Sequence, residues 1–338
     1  MILDTVELHN IAEAREVEGL PGLRLQRVPE DVRLCLNPRA QERMLSPAGS
    51  EIRFVCDSDE ARVTLSCPEG AAEAIPFWGR FQGRERYTIR DEPLTIELTY
   101  PERLAQLDPR MTGGMPFSPK VWRLMLRGDG VHFHGAEAEG IRPPTYEELP
   151  GLRYLSYGTS ITHGSAATAM HLTYVSQTAW RLGADLINLG VGGSAYCEHE
   201  LANYIASRDD WHIATLALSV NMIGGGFSVE EFSERTSYMM NTVAGARPDR
   251  PVVCITIYPH FRDWGADEAL KKKSLAFRQG LREGVACSGH PNVHLLEGSD
   301  LLEDIGGLTV DLVHPGDHGM IQMGENLARR LKGILGEG

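Results

Sequence analysis

Beyond residue 151 the chain changes rhythm, and that change constrains the fold more than any other feature. Five short, mostly apolar runs, LRYLSY (152–157), DLINLG (185–190), HIATLALSV (212–220), PVVCITIY (251–258) and VHLLEG (293–298), are separated by longer stretches with helical spacing. Leu172, Val175, Ala179 and Leu182 keep one helical face, as do Met320, Met323, Leu327, Leu331 and Ile334. Strands that alternate with helices need cover on both faces, so the pattern predicts a parallel sheet in an α/β domain. Parallel strands also send their C-terminal ends to one edge, where loops distant in sequence converge.

Ahead of that region the pattern is different. Between residues 30 and 134 lie VRLCL (32–36), EIRFVC (51–56), ARVTLSC (61–67), PLTIELTY (93–100), KVWRLML (120–126) and VHFHG (131–135), with DSDE (57–60) and RGDG (127–130) as turns. Several alternate polar and apolar residues, as half-buried antiparallel strands do, and they predict a jelly-roll-like, all-β sandwich over residues 1–140. The proline-rich stretch IRPPTYEELPG (141–151) reads as a linker, with the α/β domain over 152–338. Two adjacent prolines make that linker stiff, which favours a fixed sandwich over a freely swinging module.

Forty-six acidic against thirty-three basic side chains leave a net charge of -13, the wrong sign for a nucleic-acid or anionic-membrane surface. The opening MILDTVELHN lacks the basic start and apolar run of a secretory signal, and no later stretch reaches membrane-spanning length. A soluble cytoplasmic protein with a small-molecule partner is expected; nothing in the sequence sets an oligomeric state. Six cysteines, at 35, 56, 67, 197, 254 and 287, show neither CxxC nor zinc-type Cys/His spacing. Free thiols are expected, with a Cys56–Cys67 disulfide between neighbouring strands left open.

Four loops that follow the apolar runs carry the unusual residues: GTSITHG (158–164), NLGVGGSA (188–195), LSVNMIGGG (218–226) and DLVHPGDHG (311–319). Read singly, each has an ordinary explanation. Ser160 could cap a helix, Asn221 could shape a turn, and DxxH is a weak pattern. GVGG could cradle a phosphate, but a dinucleotide fingerprint needs GxGxxG at the first strand–helix junction, and this is the second.

As an ordered set the loops resemble the GDSL or SGNH hydrolase family, over residues 152 to about 335. The resemblance implies a flavodoxin-like α/β/α domain performing serine-dependent ester hydrolysis or acyl transfer without cofactor or metal. It places the nucleophile at Ser160, an oxyanion-hole glycine at Gly193 with Gly192 as the next match, the oxyanion asparagine at Asn221, and the DxxH pair at Asp311 and His314. Thr159 stands where the family has aspartate, and Ser219 and Met222 replace the glycine and aspartate that flank the asparagine. The hydrogen bonds that stiffen both loops must therefore differ.

The same assignment has a chemical rationale. A serine hydroxyl is a poor nucleophile at neutral pH and needs a nearby base, the role of His314. A carboxylate on the other ring nitrogen, from Asp311, sets the tautomer and stabilises the imidazolium. The tetrahedral oxyanion then needs fixed donors, each worth roughly 3 kcal/mol, and the backbone N–H groups of Ser160 and Gly193 with the Asn221 amide supply three.

His132 and His134 share a strand face but lack a third ligand for a metal, and Asp317 with His318 offers a second register for the dyad. The expected activity is hydrolysis of small O-acyl esters, O-acetyl esters first, with acylated carbohydrates as one substrate class. The rivals are an acyltransferase with an alcohol acceptor and a non-catalytic carbohydrate-binding protein.

Overall fold

Along Glu60–Ser66 and Leu94–Thr99 side chains alternate between solvent and interior, so each strand has one face to bury. The computed structural model, which describes residues 1–336, resolves that need with two antiparallel sheets. One orders the strands Ile2–Leu3, Val6–His9, Glu51–Phe54, Trp122–Gly128, Ala72–Trp78 and Phe81–Gln82, with Tyr87–Ile89 also on Ala72–Trp78. The other orders Leu94–Thr99, Glu60–Ser66, His132–Glu137, Leu20–Gln26 and Glu13–Val17. Leu8, Ile52, Phe54, Trp122 and Leu124 from the first meet Val63, Leu65, Ile96, Leu98 and Phe133 from the second in one core.

The chain divides into two compact units, and the division is not a single cut. Residues 1–30 and 44–151 form the first; residues 31–43 join those from Leu152 onward in the second. The sequence reading kept 31–43 inside the sandwich and took VRLCL for a strand. Instead Glu30–Cys35 is a helix, followed by a second one at Pro38–Arg43. Glu30 and Asp31 bring carboxylates to the first turn, which suits a helix start better than a strand. The Asn37 side chain then accepts from the Ala40 N–H at 3.1 Å, and Pro38 sits in the first helical position. The stretch read as a linker, 141–151, belongs to the first unit, where Arg142 bridges Val55 and pairs with Glu148.

In the second unit five parallel strands, counted among the described residues, run Leu152–Gly158, Ala184–Gly190, Ile213–Ala217, Val252–Ile255 and Val293–Leu296. Their spatial order is second, first, third, fourth, fifth, the flavodoxin-like order. Helices Tyr174–Leu182 and Asp317–Leu335 pack together, as do His199–Ser207, Val229–Ala246 and Glu268–Ala286. Val175, Ala179, Leu182, Met320, Met323, Leu327 and Leu331 are buried, as their periodicity predicts, while Leu172 falls in a preceding 3-10 turn.

All six cysteines are free thiols; Cys56 and Cys67 follow strands of different sheets. No helix among the described residues is long and apolar enough to cross a membrane.

Candidate active site

The first parallel strand lies between the second and third, and it stops at Gly158, which pairs with Gly190. Thr159 is extended, and its hydroxyl accepts from the Ile161 N–H at 3.3 Å, so Thr159 caps the one-turn helix Ser160–His163. That leaves the Ser160 hydroxyl free of the capping role. The helix folds tightly back on the strand end: a Cβ at position 158 would fall 2.2 Å from Thr162 Oγ1 and 3.1 Å from the Ala217 side chain. Glycine is required there for close approach.

Ser160 is 7% exposed, and its Oγ lies 2.7 Å from His314 Nε2. His314 Nδ1 lies 2.7 Å from Asp311 Oδ2. A carboxylate can only accept, so Nδ1 carries the proton and Nε2 is left as the acceptor for the serine O–H. Asp311 Oδ1 accepts from the Val313 and His314 N–H groups and the Thr309 hydroxyl at 2.8, 2.9 and 2.9 Å. Burial pushes the Asp311 carboxyl up, but these donors and the His314 ring outweigh it and hold it well below the usual carboxylate range. The turn is closed by a Thr309 N–H to His314 carbonyl bond of 2.8 Å and carries Leu312 at φ +53°, a conformation costly for a branched side chain. In the competing register, Asp317 is engaged instead by the Thr168 N–H and hydroxyl at 2.8 and 2.6 Å.

Asn221 opens into the same edge from the third strand. Its side-chain oxygen accepts from the Ala195 N–H at 3.2 Å, while the Ser219 hydroxyl donates to the Ala195 carbonyl. Because an N–H demands the oxygen, the Asn221 Nδ2 is turned away, and it meets no acceptor among the described residues. Ser219 and Asn221 thus clasp one peptide of the neighbouring loop, and Thr159 caps the serine turn.

Gly193 has φ +76°, and a Cβ there would fall 2.7–2.9 Å from the Cζ, Nη2 and Nε atoms of Arg39. The glycine therefore makes room for a guanidinium as well as for the turn. Gly192 faces Arg43 and Ser165 at 3.7 Å. The loop is tied to the serine block by Val191 N–H to Gly158 carbonyl at 2.8 Å and by Asn188, whose amide donates to the Thr162 carbonyl at 3.0 Å.

Sequence reading gave no site role to Asn188 or to the 31–43 segment, which it placed in the sandwich. Asn37 donates to the Ser194 carbonyl at 3.1 Å and to Glu198, whose carboxyl is pushed up by burial. The helix-start signal Asn37-Pro38 was present, but no local pattern tells which loop such a helix will meet. The histidines at 132 and 134 bond separately, to the Pro21 carbonyl at 3.0 Å and the Ser66 hydroxyl at 2.9 Å.

Residues 153–332, more than half of the chain, match the model of the GDSL-like Lipase/Acylhydrolase family. Among solved structures, the salicylyl-acyltransferase SsfX3 from a tetracycline biosynthetic pathway has a TM-score of 0.80 at 16% identity, over 98% of this chain and 95% of that one. A family two carbohydrate esterase from Clostridium thermocellum, solved in complex with cellohexaose, has 0.60 at 18%, over 86% and 94%. The acetyl xylan esterase Est2A from the rumen bacterium Butyrivibrio proteoclasticus has 0.61 at 12%, over 100% and 98%. At these identities the likeness is one of fold. No curated protein matches the chain in sequence.

Proposed function

The chain belongs to the GDSL-like lipase/acylhydrolase family, and within it we propose a serine-dependent esterase that hydrolyses small O-acyl esters, O-acetyl groups on carbohydrates among them. One observation carries the reading: the unbroken relay from Ser160 Oγ to His314 Nε2 and from His314 Nδ1 to Asp311, each step 2.7 Å.

In this reading Ser160 attacks the acyl carbon as its proton passes to His314 Nε2, and Asp311 stabilises the resulting imidazolium. The oxyanion is met by the N–H groups of Ser160 and Gly193 and by the unpartnered Nδ2 of Asn221. The tetrahedral intermediate collapses as His314 returns the proton to the leaving alcohol. Water, activated by the same imidazole, then releases the acid and restores the serine. An alcohol in place of that water would give acyl transfer by the same steps. The free thiols suit a reducing compartment, and the reading includes a cytoplasmic setting.

The test is hydrolysis of aryl acetates of increasing chain length by the wild type and Ser160→Ala, with a fluorophosphonate label located by mass. Ser160→Ala is expected to lose turnover while keeping its melting temperature, and the label to fall on Ser160 alone. Substantial activity in the variant, or a label elsewhere, refutes the nucleophile; acyl products formed on added acceptor alcohols in preference to acid identify a transferase.

A further inference from the structure

We propose that Arg39 is a substrate-binding residue that selects esters bearing an anionic group, a carboxylate or phosphate, near the scissile bond. The inference rests on the esterase reading for the position of the reacting bond, but its geometry is independent of the relay.

Arg39 belongs to the helix Pro38–Arg43, which comes from far upstream and yet sits in the second unit. Asn37 anchors it at its start, capping the helix with its side-chain oxygen while its amide bonds the Ser194 carbonyl and the buried Glu198. Arg39 and Arg43 are four residues apart and lie on one face, as i, i+4 pairs do, with Arg39 at Gly193 and Arg43 at Gly192. Like charges at that spacing repel, so nothing in the helix itself favours the pair.

The Arg39 guanidinium fills the space where a side chain at position 193 would stand. It is exposed and forms no hydrogen bond or ion pair among the described residues. That is unusual company for an arginine in a chain of net charge -13, where carboxylates are abundant. A second guanidinium behaves alike: Arg262 lies over the Phe261 ring at 4.5 Å and 4.0 Å from the space beside Gly224, three residues past Asn221, and its buried Nε has no partner. The Phe261 N–H bonds the Leu312 carbonyl at 2.8 Å, so this segment also adjoins the Asp311–His314 turn. Two guanidiniums with no carboxylate partner among the described residues, one of them stacked on a ring, thus flank the loops that carry Gly193 and Asn221. A guanidinium offers a planar, always charged set of donors that matches a carboxylate or phosphate edge to edge.

The experiment compares matched esters on the intact protein. With the anion on the acyl side, 4-nitrophenyl hydrogen succinate is set against 4-nitrophenyl butyrate; with it on the alcohol side, 4-acetoxybenzoate is set against its methyl ester. The readout is the ratio of kcat/KM for the anionic over the neutral member. Arg39→Gln is expected to lower that ratio about 10- to 100-fold in one of the arms, through KM, and Arg39→Lys to recover part of it. Raised salt should lower the wild-type ratio, since screening weakens an exposed ion pair. Calorimetric binding of 4-acetoxybenzoate and of succinate to Ser160→Ala, with and without Arg39→Gln, reads the same contact without turnover. If no ester is hydrolysed, the esterase reading fails, and Arg39-dependent binding still decides the inference. Ratios and affinities unmoved by Arg39→Gln in both arms would overturn it.

Discussion

At His314 a single acceptor decides the chemistry, because the Asp311 carboxylate accepts a hydrogen bond from Nδ1–H of the ring and so leaves Nε2 to the serine. The same hydrogen bonds depress the Asp311 pKa, which fixes the sign of its pH effect. Interactions of an acid with a lowered folded pKa are complete above its unfolded value near 3.9 and are lost as pH falls through the lower folded value. Asp311 therefore stays ionised in mild acid, and its carboxylate should contribute no proton to the acid limb of kcat/KM. A log–log slope of two on that limb would show that the carboxylate titrates there. Asn221→Ala should lower kcat about 100- to 1,000-fold with little change in KM, because its free Nδ2 is assigned to the oxyanion. A dominant rise in KM, measured on a neutral aryl acetate, would make Asn221 a ground-state contact instead.

The short helix Ser160–His163 gains its position from its neighbours. Four residues cannot hold a helix in water, so the cap from Thr159, the 2.8 Å bond between the Thr162 and Tyr174 hydroxyls, and the bond from Asn188 to the Thr162 carbonyl keep it in place. The place of Thr162 depends on the bare Cα at Gly158. Gly158→Ala should push Thr162 and the helix outward, costing about 1–3 kcal/mol in urea unfolding and most of the esterase activity. Wild-type stability and turnover in that variant would mean that the helix has room the structure does not give it. Ser160, Asn221 and the DxxH pair were legible because each closes or follows a strand in a pattern of fixed order. The clasp made by Ser219 and the tie made by Asn188 were not, since a hydroxyl or amide beside a strand end looks the same whether it holds a loop or faces water.

For the molecule as a whole, the first unit places charges where its sheet could have been apolar. Glu51, 3% exposed, accepts from Arg123 at 2.6 and 2.7 Å and from Arg53 at 2.7 Å. Burial raises its pKa, and the two guanidiniums more than reverse that, holding it down to about 2. Glu51→Gln should destabilise the protein by about 3–5 kcal/mol near neutrality, because both arginines would remain buried with less than their charge partner. Glu51 contributes fully above its unfolded pKa and loses its contribution as pH falls toward 2, so the difference from wild type should shrink over that range. Thermal or urea melts across pH 7 to 2 measure it, and a gap that widens in acid would reverse the sign. The chain passes between the two units at residues 30–44 as well as at 151, so residues from Leu152 on do not contain the whole of the second unit.

Hydrophobic spacing and motif order along the chain were enough to specify the α/β half, its five strands and the order of its reactive loops. Periodicity is set by which residues must be buried, and that requirement is local to each element. It also determined the all-β character of the first half, where alternation marks a strand with one wet face. Packing in three dimensions was needed to show that VRLCL is largely helical, that Asn37 and Arg39 belong beside the Gly193 loop, and that Ser219 and Asn221 clasp one peptide. The placement of Asn37 turns on a contact 157 residues away at Ser194, and the clasp on contacts 24 and 26 residues away at Ala195; such contacts are selected by packing in three dimensions, with no trace in the spacing of neighbours along the chain.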